Sequence, residues 1–470
     1  MRARRDLGAC RQYGTAGPPG DHRMSARAES AKMLASLMGV DPDEAAERLD
    51  RKVLITASVQ RSASGLAAEV VGLLERTLAI TDEPDEAHIE LVIGDARPRS
   101  EAPLLYAAAD AAGVVVGSAQ IQRGATEAHP LVVVIYATAV SAAVLRAVAG
   151  DGALPHGPDP LEIKASQLGL PDLASMEPLD LTGAVLVGAG AVGHGFVRAL
   201  RTVPVFGELI VLDPKTVGGG NLNRCLYLQP EDEGRDKAVA LAERAAPDFP
   251  DLRLTPEVAE FRRYAEAVGR VDTAIVTVDS RRARRSIQEY APRRVFDAST
   301  TDVTAVVVHA HQQPTGGACM ACIYRHIPDE QARERSIAEG LGIDLGMLGR
   351  GFIDEEAATR ILQTHPGLDR TDLVGKAFDT LFRQLCATQA LTTTEGRQVL
   401  TPFAFVSSLA GALIVVEMLR RAAGMTDTNY WQIDPWLGPL ARLRKHRSRA
   451  PDCSFCSRPE AVALVKSWWG

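Results

Sequence analysis

Apolar runs of four to six residues alternate with helix-length stretches along much of the chain. In the first third, strands are predicted at 53–57, 89–93, 114–116 and 131–136. Helices are predicted at 63–78 and 102–112, and again after residue 136. Strands alternating with helices predict a small α/β domain over 29–150. The segment GDGALPHGPDP (150–160) is rich in Gly and Pro and opens a linker assigned to 151–180. A second alternation then begins. It comprises a buried strand at 184–187, a helix, strands at 209–212 and 273–278, and a hairpin in VFDASTTDVTAVVVHAH (295–311). The charged, Gly-rich stretch 325–369 reads as helical patches outside the core, within an insertion spanning 325–400. A helix at 406–421 returns to the core. The predicted fold class is α/β: a Rossmann-like, doubly wound sheet over 181–470 whose C-terminal part folds back onto it, preceded by the smaller N-terminal α/β domain. No internal repeat or low-complexity tract is present.

The junctions between these elements carry the chemistry. The strand at 184–187 runs into Gly188, Gly190 and Gly193, and a helix follows; the strand at 209–212 ends in Asp213. A glycine turn into a helix N-terminus followed by a strand-end acid is a nucleotide fingerprint: backbone amides face phosphate, and the acid faces a ribose hydroxyl. Any dinucleotide enzyme fits that far. Asn221, Asn223, Arg224 and Lys237 then add a polar and cationic cluster that hydride transfer does not require. Asp279 stands at the end of the strand at 273–278, where a doubly wound sheet opens its ligand crevice. It reads either as a helix N-cap or as an acid for Mg²⁺. The turn ASVQRSASG (57–65) of the first domain has no glycine fingerprint, so that domain is expected to act as scaffold or partner-binding surface.

Composition narrows the classes. With 470 residues the chain is long enough for two or three cores. A net charge of −7 gives no basis for nonspecific nucleic-acid or membrane binding. The basic runs 281–285 and 442–449 read as a solvated helix face and a charged loop. The apolar stretches 131–145 and 403–416 fall short of the ~20 residues of a membrane span. Residues 1–28 are Arg-rich without an apolar core; they are expected to be disordered, with Met24 an alternative start and no signal peptide. A cytoplasmic location is expected, where disulfides are disfavoured.

Seven cysteines are present, at 10, 225, 319, 322, 386, 453 and 456. Cys319, Cys322, Cys453 and Cys456 form two C-x-x-C pairs. Each tight turn offers two thiolates to one ion, so two turns complete a tetrahedral Zn²⁺ site. Cys453 follows Cys322 by 131 residues, too far for a compact ribbon. The expected role is a structural staple from chain end to chain middle; unrelated thiol turns and a redox pair are the alternatives.

Taken together, the glycine fingerprint, Asp213, the N-L-x-R motif at Asn221–Arg224, Lys237, Asp279 and the paired C-x-x-C turns resemble the E1-like adenylyltransferases. This family includes ubiquitin-activating enzymes and their ThiF, MoeB and HesA relatives. The resemblance covers about 181–310, the helix near 406 and the cysteine pairs, and leaves out 1–150. It implies that Asp213 binds the ATP ribose, that Asn221, Arg224 and Lys237 contact the phosphates, and that Asp279 helps hold Mg²⁺. Arg284 matches an arginine that follows this acid in the family. The implied substrate is the C-terminal carboxylate of a ubiquitin-like protein, sulfur carrier or peptide. A downstream E2-like protein and a homodimer are implied as partners. Several positions depart from the family: Cys225 stands where Gln is usual, Gly220 where Ser is common and Ser280 where Asn follows the acid. No arginine lies between Pro158 and Thr182 to reach a neighbouring site, only Lys164.

Some of these relatives also capture the acyl group as a thioester. Cys386 lies where ubiquitin-activating relatives carry that thiol and has Arg383 nearby; a buried helix cysteine is the alternative. Cys10 sits in the N-terminal tail, and Cys225 lies within the phosphate cluster. Two other functional classes remain at this stage. A noncatalytic E1-like subunit is opposed by retention of Asp213, Arg224, Lys237 and Asp279. A nicotinamide-dependent oxidoreductase leaves Arg224, Lys237 and the cysteine pairs without a purpose.

Overall fold

A computed structural model of the chain describes residues 22–470 apart from 125, 151–153, 156, 301–304, 326–329, 349–352, 371–372, 375–377, 379–380, 383–384, 386–402 and 440. The chain begins with helices α1 (His22–Met38) and α2 (Pro42–Leu49). Residues 22–28 are therefore helical, inside the stretch expected to be disordered. The first sheet contains β1 (Lys52–Ala57), β2 (Ala79–Thr81), β3 (Ile89–Ile93), β4 (Leu104–Asp110), β5 (Gly113–Gly117) and β6 (Leu161–Lys164), in the order β2-β1-β3-β4-β5-β6. The first four strands are parallel, and β5 and β6 are antiparallel additions. Helices α3 (Arg61–Leu74) and α4 (Pro130–Ala149) cover it.

Three expectations are corrected here. Residues 104–110 are a strand, although LLYAAAD favours helix by propensity. Pairing with β3 overrides that propensity, and Asp110 closes the hairpin to β5 by accepting the amides of Ala112 (2.9 Å) and Gly113 (3.0 Å). Residues 131–136 are helical despite their β-branched run. Pro130 starts the helix, the His129 ring accepts the Leu131 amide, and burial on all sides removes any amphipathic period. At 20 residues α4 is long and apolar enough to cross a membrane, but it is packed inside the fold. Finally, 161–164, placed in the linker from sequence, form the sixth strand of the first sheet.

One buried acid organises this domain. Glu90 on β3 is fully buried and accepts from Thr56 Oγ1 (2.6 Å), Ser100 Oγ (2.7 Å) and the amides of Arg99 and Ser100 (2.8 Å each). Burial opposes its charge, but these donors outweigh it and hold the carboxyl below its ordinary value.

The second sheet has nine strands: β7 (Leu179–Asp180), β8 (Ala184–Val187), β9 (Val205–Leu212), β10 (Leu252–Glu257), β11 (Thr273–Val276), β12 (Arg294–Thr300), β13 (Val306–Gln312), β14 (Tyr430–Ile433) and β15 (Arg444–Lys445). Its order is β10-β9-β8-β11-β12-β13-β14-β15, with β7 on β9. From β10 to β12 the strands are parallel; beyond β12 they are antiparallel. The order reverses between β8 and β11, which makes the ends of those two strands the topological switch point.

Helix α5 (Ala191–Leu200) follows β8, α6 (Lys237–Ala245) precedes β10, α7 (Phe261–Val268) precedes β11 and α8 (Arg281–Glu289) follows it. The short α9 (Met320–Ile323) carries the first cysteine pair. Helices α10 (Glu330–Leu341), α11 (Leu345–Leu348) and α12 (Glu355–Thr364) lie in the insertion and form their own small core around Leu341, Ile353, Ile361 and Phe378. The returning helix is α13 (Ala404–Ala422), and α14 (Pro459–Trp469) ends the chain. One face of the large sheet packs on α5 and α13, in a hydrophobic core continuous with that of the first domain; the other packs on α7, α8 and α9.

Glu90 generates a test by pH. Its folded pKa lies below the unfolded value of about 4.3. Its stabilisation is therefore complete above that value and is lost as pH falls through the folded pKa. Glu90→Ala leaves several donors unpaired and should cost about 2–3 kcal/mol at pH 7. In urea titrations the stability advantage of the wild type over Glu90→Gln should shrink as the pH falls through the lowered pKa of Glu90.

Candidate functional site

The glycine turn is built by close approach. Gly188, directly after β8, has φ +105°, a region open to glycine, and its amide donates to the Leu212 carbonyl (2.8 Å). A Cβ on Gly193 would stand 2.3 Å from the Gly188 carbonyl oxygen, so the first turn of α5 closes onto the loop only without one. Gly190 caps the helix. Thr277, which follows β11, donates its hydroxyl to the Gly188 carbonyl (2.6 Å) and ties the two strand ends at the switch point together.

Asp213 follows β9 and is buried. Its carboxylate oxygens accept the amides of Ala189 (2.8 Å) and Lys215 (2.8 Å). Each oxygen keeps a lone pair for a further donor such as a ribose hydroxyl. The 218–228 loop comes next. Asn221 closes its turn by accepting the Gly218 amide (3.0 Å). Arg224 donates to Asn223 Oδ1 (2.8 Å) and to the Gly220 carbonyl. The buried acid Asp232 draws in Arg235 (2.7 Å) and Arg244 (3.0 Å), setting the approach to Lys237 at the start of α6. Lys237 is half-buried, and its amide donates to the Lys215 carbonyl (2.9 Å).

Cys225 lies at the centre of this group. It is fully buried among Val217, Leu222, Leu228 and Ala240. Burial pushes its thiol pKa up against the pull of Arg224, Lys237 and Arg76, and Asp213 adds to the rise. Cys225 is thus a neutral packing residue. Cys386, Arg383 and Cys10 lie outside the described residues.

Asp279 is exposed just beyond β11, on the other side of the switch point. The following Ser280 caps α8 by accepting the Ala283 amide (3.2 Å). The basic run on that helix is not wholly solvated, as its sequence implied. Arg284 is 2% exposed and paired with the fully buried Asp297 on β12. It also donates to the carbonyls of Val278 and Ala298 (the latter 2.8 Å), while Tyr324 donates to Asp297 (2.6 Å). Breaking such a buried pair by removing one partner costs about 3–5 kcal/mol. Arg284 therefore supports the backbone beside Asp279 from below. Asp297 and Tyr324, which complete this support, carried no sequence signal because their contact spans two strands and α9.

The four cysteines of the two pairs converge. Their sulfurs lie within 4.8 Å of one another and all four are buried. Cys319–Cys322, Cys319–Cys453 and Cys322–Cys456 are separated by 3.7, 3.8 and 3.8 Å, and Cys319–Cys456 by a shorter 3.1 Å. A tetrahedron with metal–sulfur bonds of about 2.3 Å has edges near 3.8 Å. Backbone amides of Ala450 and Cys456 point at Cys322 and Cys453 sulfur (3.4 Å each), as donors to thiolates do. The donor set fits a tetrahedral metal ion. Around it the C-terminal segment is fastened to α8: Arg285 donates to Ser454 (2.7 Å), and Trp469 Nε1 on α14 donates to the Ala291 carbonyl (2.8 Å).

A mainly parallel sheet of this order, with a glycine turn and an acid at its switch point and cations on the adjoining loop, defines a doubly wound α/β domain. The chain belongs to the ThiF family, whose profile matches residues 165–455. The profile of the E1 N-terminal domain matches 24–171. An uncharacterized protein, y4jF, of Sinorhizobium fredii is 28% identical over 327 residues; the match covers 62% of this chain and 60% of that protein. Among solved structures, E. coli MccB with ATP is 14% identical at a TM-score of 0.37, covering 62% of this chain and 69% of that one. The microcin C7 biosynthetic enzyme MccB with N-formylated MccA is 14% identical at 0.39, covering 62% and 70%.

Removing one thiol should loosen the C-terminal segment. Cys453→Ser is expected to cost about 2–4 kcal/mol, as for loss of a cross-link over a long loop. Release of Trp469 from Ala291 should red-shift tryptophan emission.

Proposed function

We propose that this protein is an ATP-dependent adenylyltransferase that activates the C-terminal carboxylate of a ubiquitin-like protein or peptide. The reading is supported by the glycine turn after β8 and the buried Asp213 after β9 at the switch point, with Arg224 on the adjoining loop, Lys237 at the start of α6 and Asp279 just beyond β11. Membership of the ThiF family supports it. In the reaction a carboxylate oxygen attacks the α-phosphorus of ATP. The bond from that phosphorus to the bridging oxygen breaks, pyrophosphate leaves and an acyl-adenylate remains. Both reactants are anions, so the chief requirement is fixed positive charge where negative charge grows. Asp213 holds the ribose, while the glycine turn admits the phosphate chain close to backbone. Arg224 grips phosphate oxygens with two donors and Lys237 adds a point charge. Asp279 would hold the Mg²⁺ that accompanies ATP, which supplies further charge neutralisation.

The four-cysteine cluster is assigned to one structural Zn²⁺. A subsequent thioester, in this reading, forms on Cys386, because Cys225 is buried and kept neutral. The acting unit is assigned as a homodimer.

Calorimetry with MgATP and ATP–pyrophosphate exchange with a panel of ubiquitin-like proteins and short peptides test the proposal. Asp279→Ala should abolish exchange with the fold intact. Arg224→Ala and Lys237→Ala should each cost about 2–4 kcal/mol of transition-state stabilisation. Unchanged exchange in Asp279→Ala would reject the site. A thiol-sensitive adduct should survive Cys225→Ala and vanish in Cys386→Ala; the reverse pattern would reassign the nucleophile.

A further inference from the structure

We infer that the N-terminal domain positions the phosphate-binding loop from within the same chain, with Arg76 as the main positioning residue and Ser30 as a second point of hold. The inference rests on the nucleotide-site reading above and assigns a role to a domain that carries no nucleotide fingerprint.

Arg76 lies two residues beyond the end of α3. One terminal nitrogen of its guanidinium donates to the carbonyls of Leu222 (3.2 Å) and Leu228 (2.8 Å), the other to that of Leu226 (2.9 Å). These carbonyls bracket Arg224 and belong to a loop whose only regular structure is the short turn Gly219–Asn221. A planar fork of fixed donors meets several carbonyls at set angles, so it fixes the path of the loop as well as its position. From the other side, Ser30 on α1 is fully buried and accepts from Asn223 Nδ2 (3.4 Å). Asn223 in turn accepts from Arg224. A line of hydrogen bonds thus runs from the first domain to the cation assigned to phosphate.

The platform behind these contacts is fastened. Glu69 on α3 pairs with Arg198 (2.9 Å) and Arg201 (2.5 Å) of α5, the helix that opens at the glycine turn. The third support of the loop comes from α5 itself: the buried His194 ring accepts the Tyr227 amide through Nδ1 (3.2 Å). Burial, and after it the charge of Arg76, lowers this histidine to about 3, so it stays a neutral acceptor. Arg76 therefore acts on the phosphate half of the site and leaves the ribose acid, which is held by Ala189 and Lys215, untouched.

That division gives a selective test on the full-length chain. Arg76→Met keeps the aliphatic stem and removes the donors. By analogy with other supporting-residue losses, it should weaken MgATP binding on the order of 10- to 100-fold. Adenosine binding should be unchanged, and amide hydrogen exchange over 219–228 should accelerate. Arg76→Lys should restore part of the ATP affinity. Ser30→Ala, a smaller change that spares the fold, should show a weaker form of the same pattern. A folded Arg76→Met protein with wild-type ATP affinity, or with ATP and adenosine weakened alike, would overturn the inference. If Arg76→Met does not fold, wild-type loop exchange and ATP affinity in Ser30→Ala would do so. A wild-type chain that binds neither ATP nor adenosine would overturn the nucleotide reading, and the exchange measurement would still decide whether Arg76 holds the loop.

Discussion

The position of α5 sets everything at the strand ends, and α5 is placed by a crossing in which two helices touch backbone to backbone. A Cβ on Gly411 of α13 would stand 2.1 Å from the Phe196 nitrogen, and one on Gly195 would stand 2.6 Å from the Ser407 carbonyl oxygen. Any side chain at either position forces the helices apart. Because α5 begins at the glycine turn, a displacement of its axis moves the amides of that turn. Phe196, Leu409 and Leu413 are fully buried around the crossing, so it lies inside the core. Helix α13 then continues onto α4, which joins the two domains in one hydrophobic core.

The opposite face is anchored by different physics. There α8 must hold the Asp279 turn against the sheet, and it has little apolar surface with which to do so. Its sequence, RRARRSIQE, buries Ile287 but also Arg284 and Gln288. The ion pair with Asp297 and the thiol cluster behind α8 replace hydrophobic packing. The cluster brings the end of the chain against α8, and Arg285, Glu289 and Ala291 receive contacts from Ser454, Arg458 and Trp469. Half of the crevice thus rests on close apolar packing and half on charge pairing and the clustered thiols.

The chain leaving the first domain is fixed in a similar way. Arg420 on α13 donates to the Gly169 carbonyl (2.6 Å), and Arg444 on β15 to that of Leu168 (3.1 Å), while buried Glu417 pairs with Arg444 (3.0 Å). Arg444 also lies over the Trp431 ring at 3.8 Å. These contacts, with the pairing of Glu69 to Arg198 and the hydrogen bonds of Arg76 to the 222–228 loop, make the first domain a support for the second.

Sequence patterning reached the strand-end turns because those turns are local. A glycine turn, an acid at a strand end and a C-x-x-C turn each declare themselves within a few residues, so Gly188, Asp213, Asp279 and the four cysteines could be named in advance. The strands around them were also legible, since short buried runs bounded by turns have few alternatives. It failed where local preference and global packing disagree. The alanine-rich 104–110 became a strand because β3 and β5 supplied partners, and the β-branched 131–136 became helix because a fully buried helix keeps no polar face to reveal its period. Arg76, Ser30, Asp297, Tyr324 and the Gly195–Gly411 contact were out of reach for another reason. Each acts on a partner far along the chain, and a hydrogen bond or close approach leaves no periodicity in the sequence of either partner. The sequence by itself determined the glycine turn, the strand-end acids and the paired cysteine turns; only the tertiary structure decided which other residues hold them in place, because that depends on distances through space.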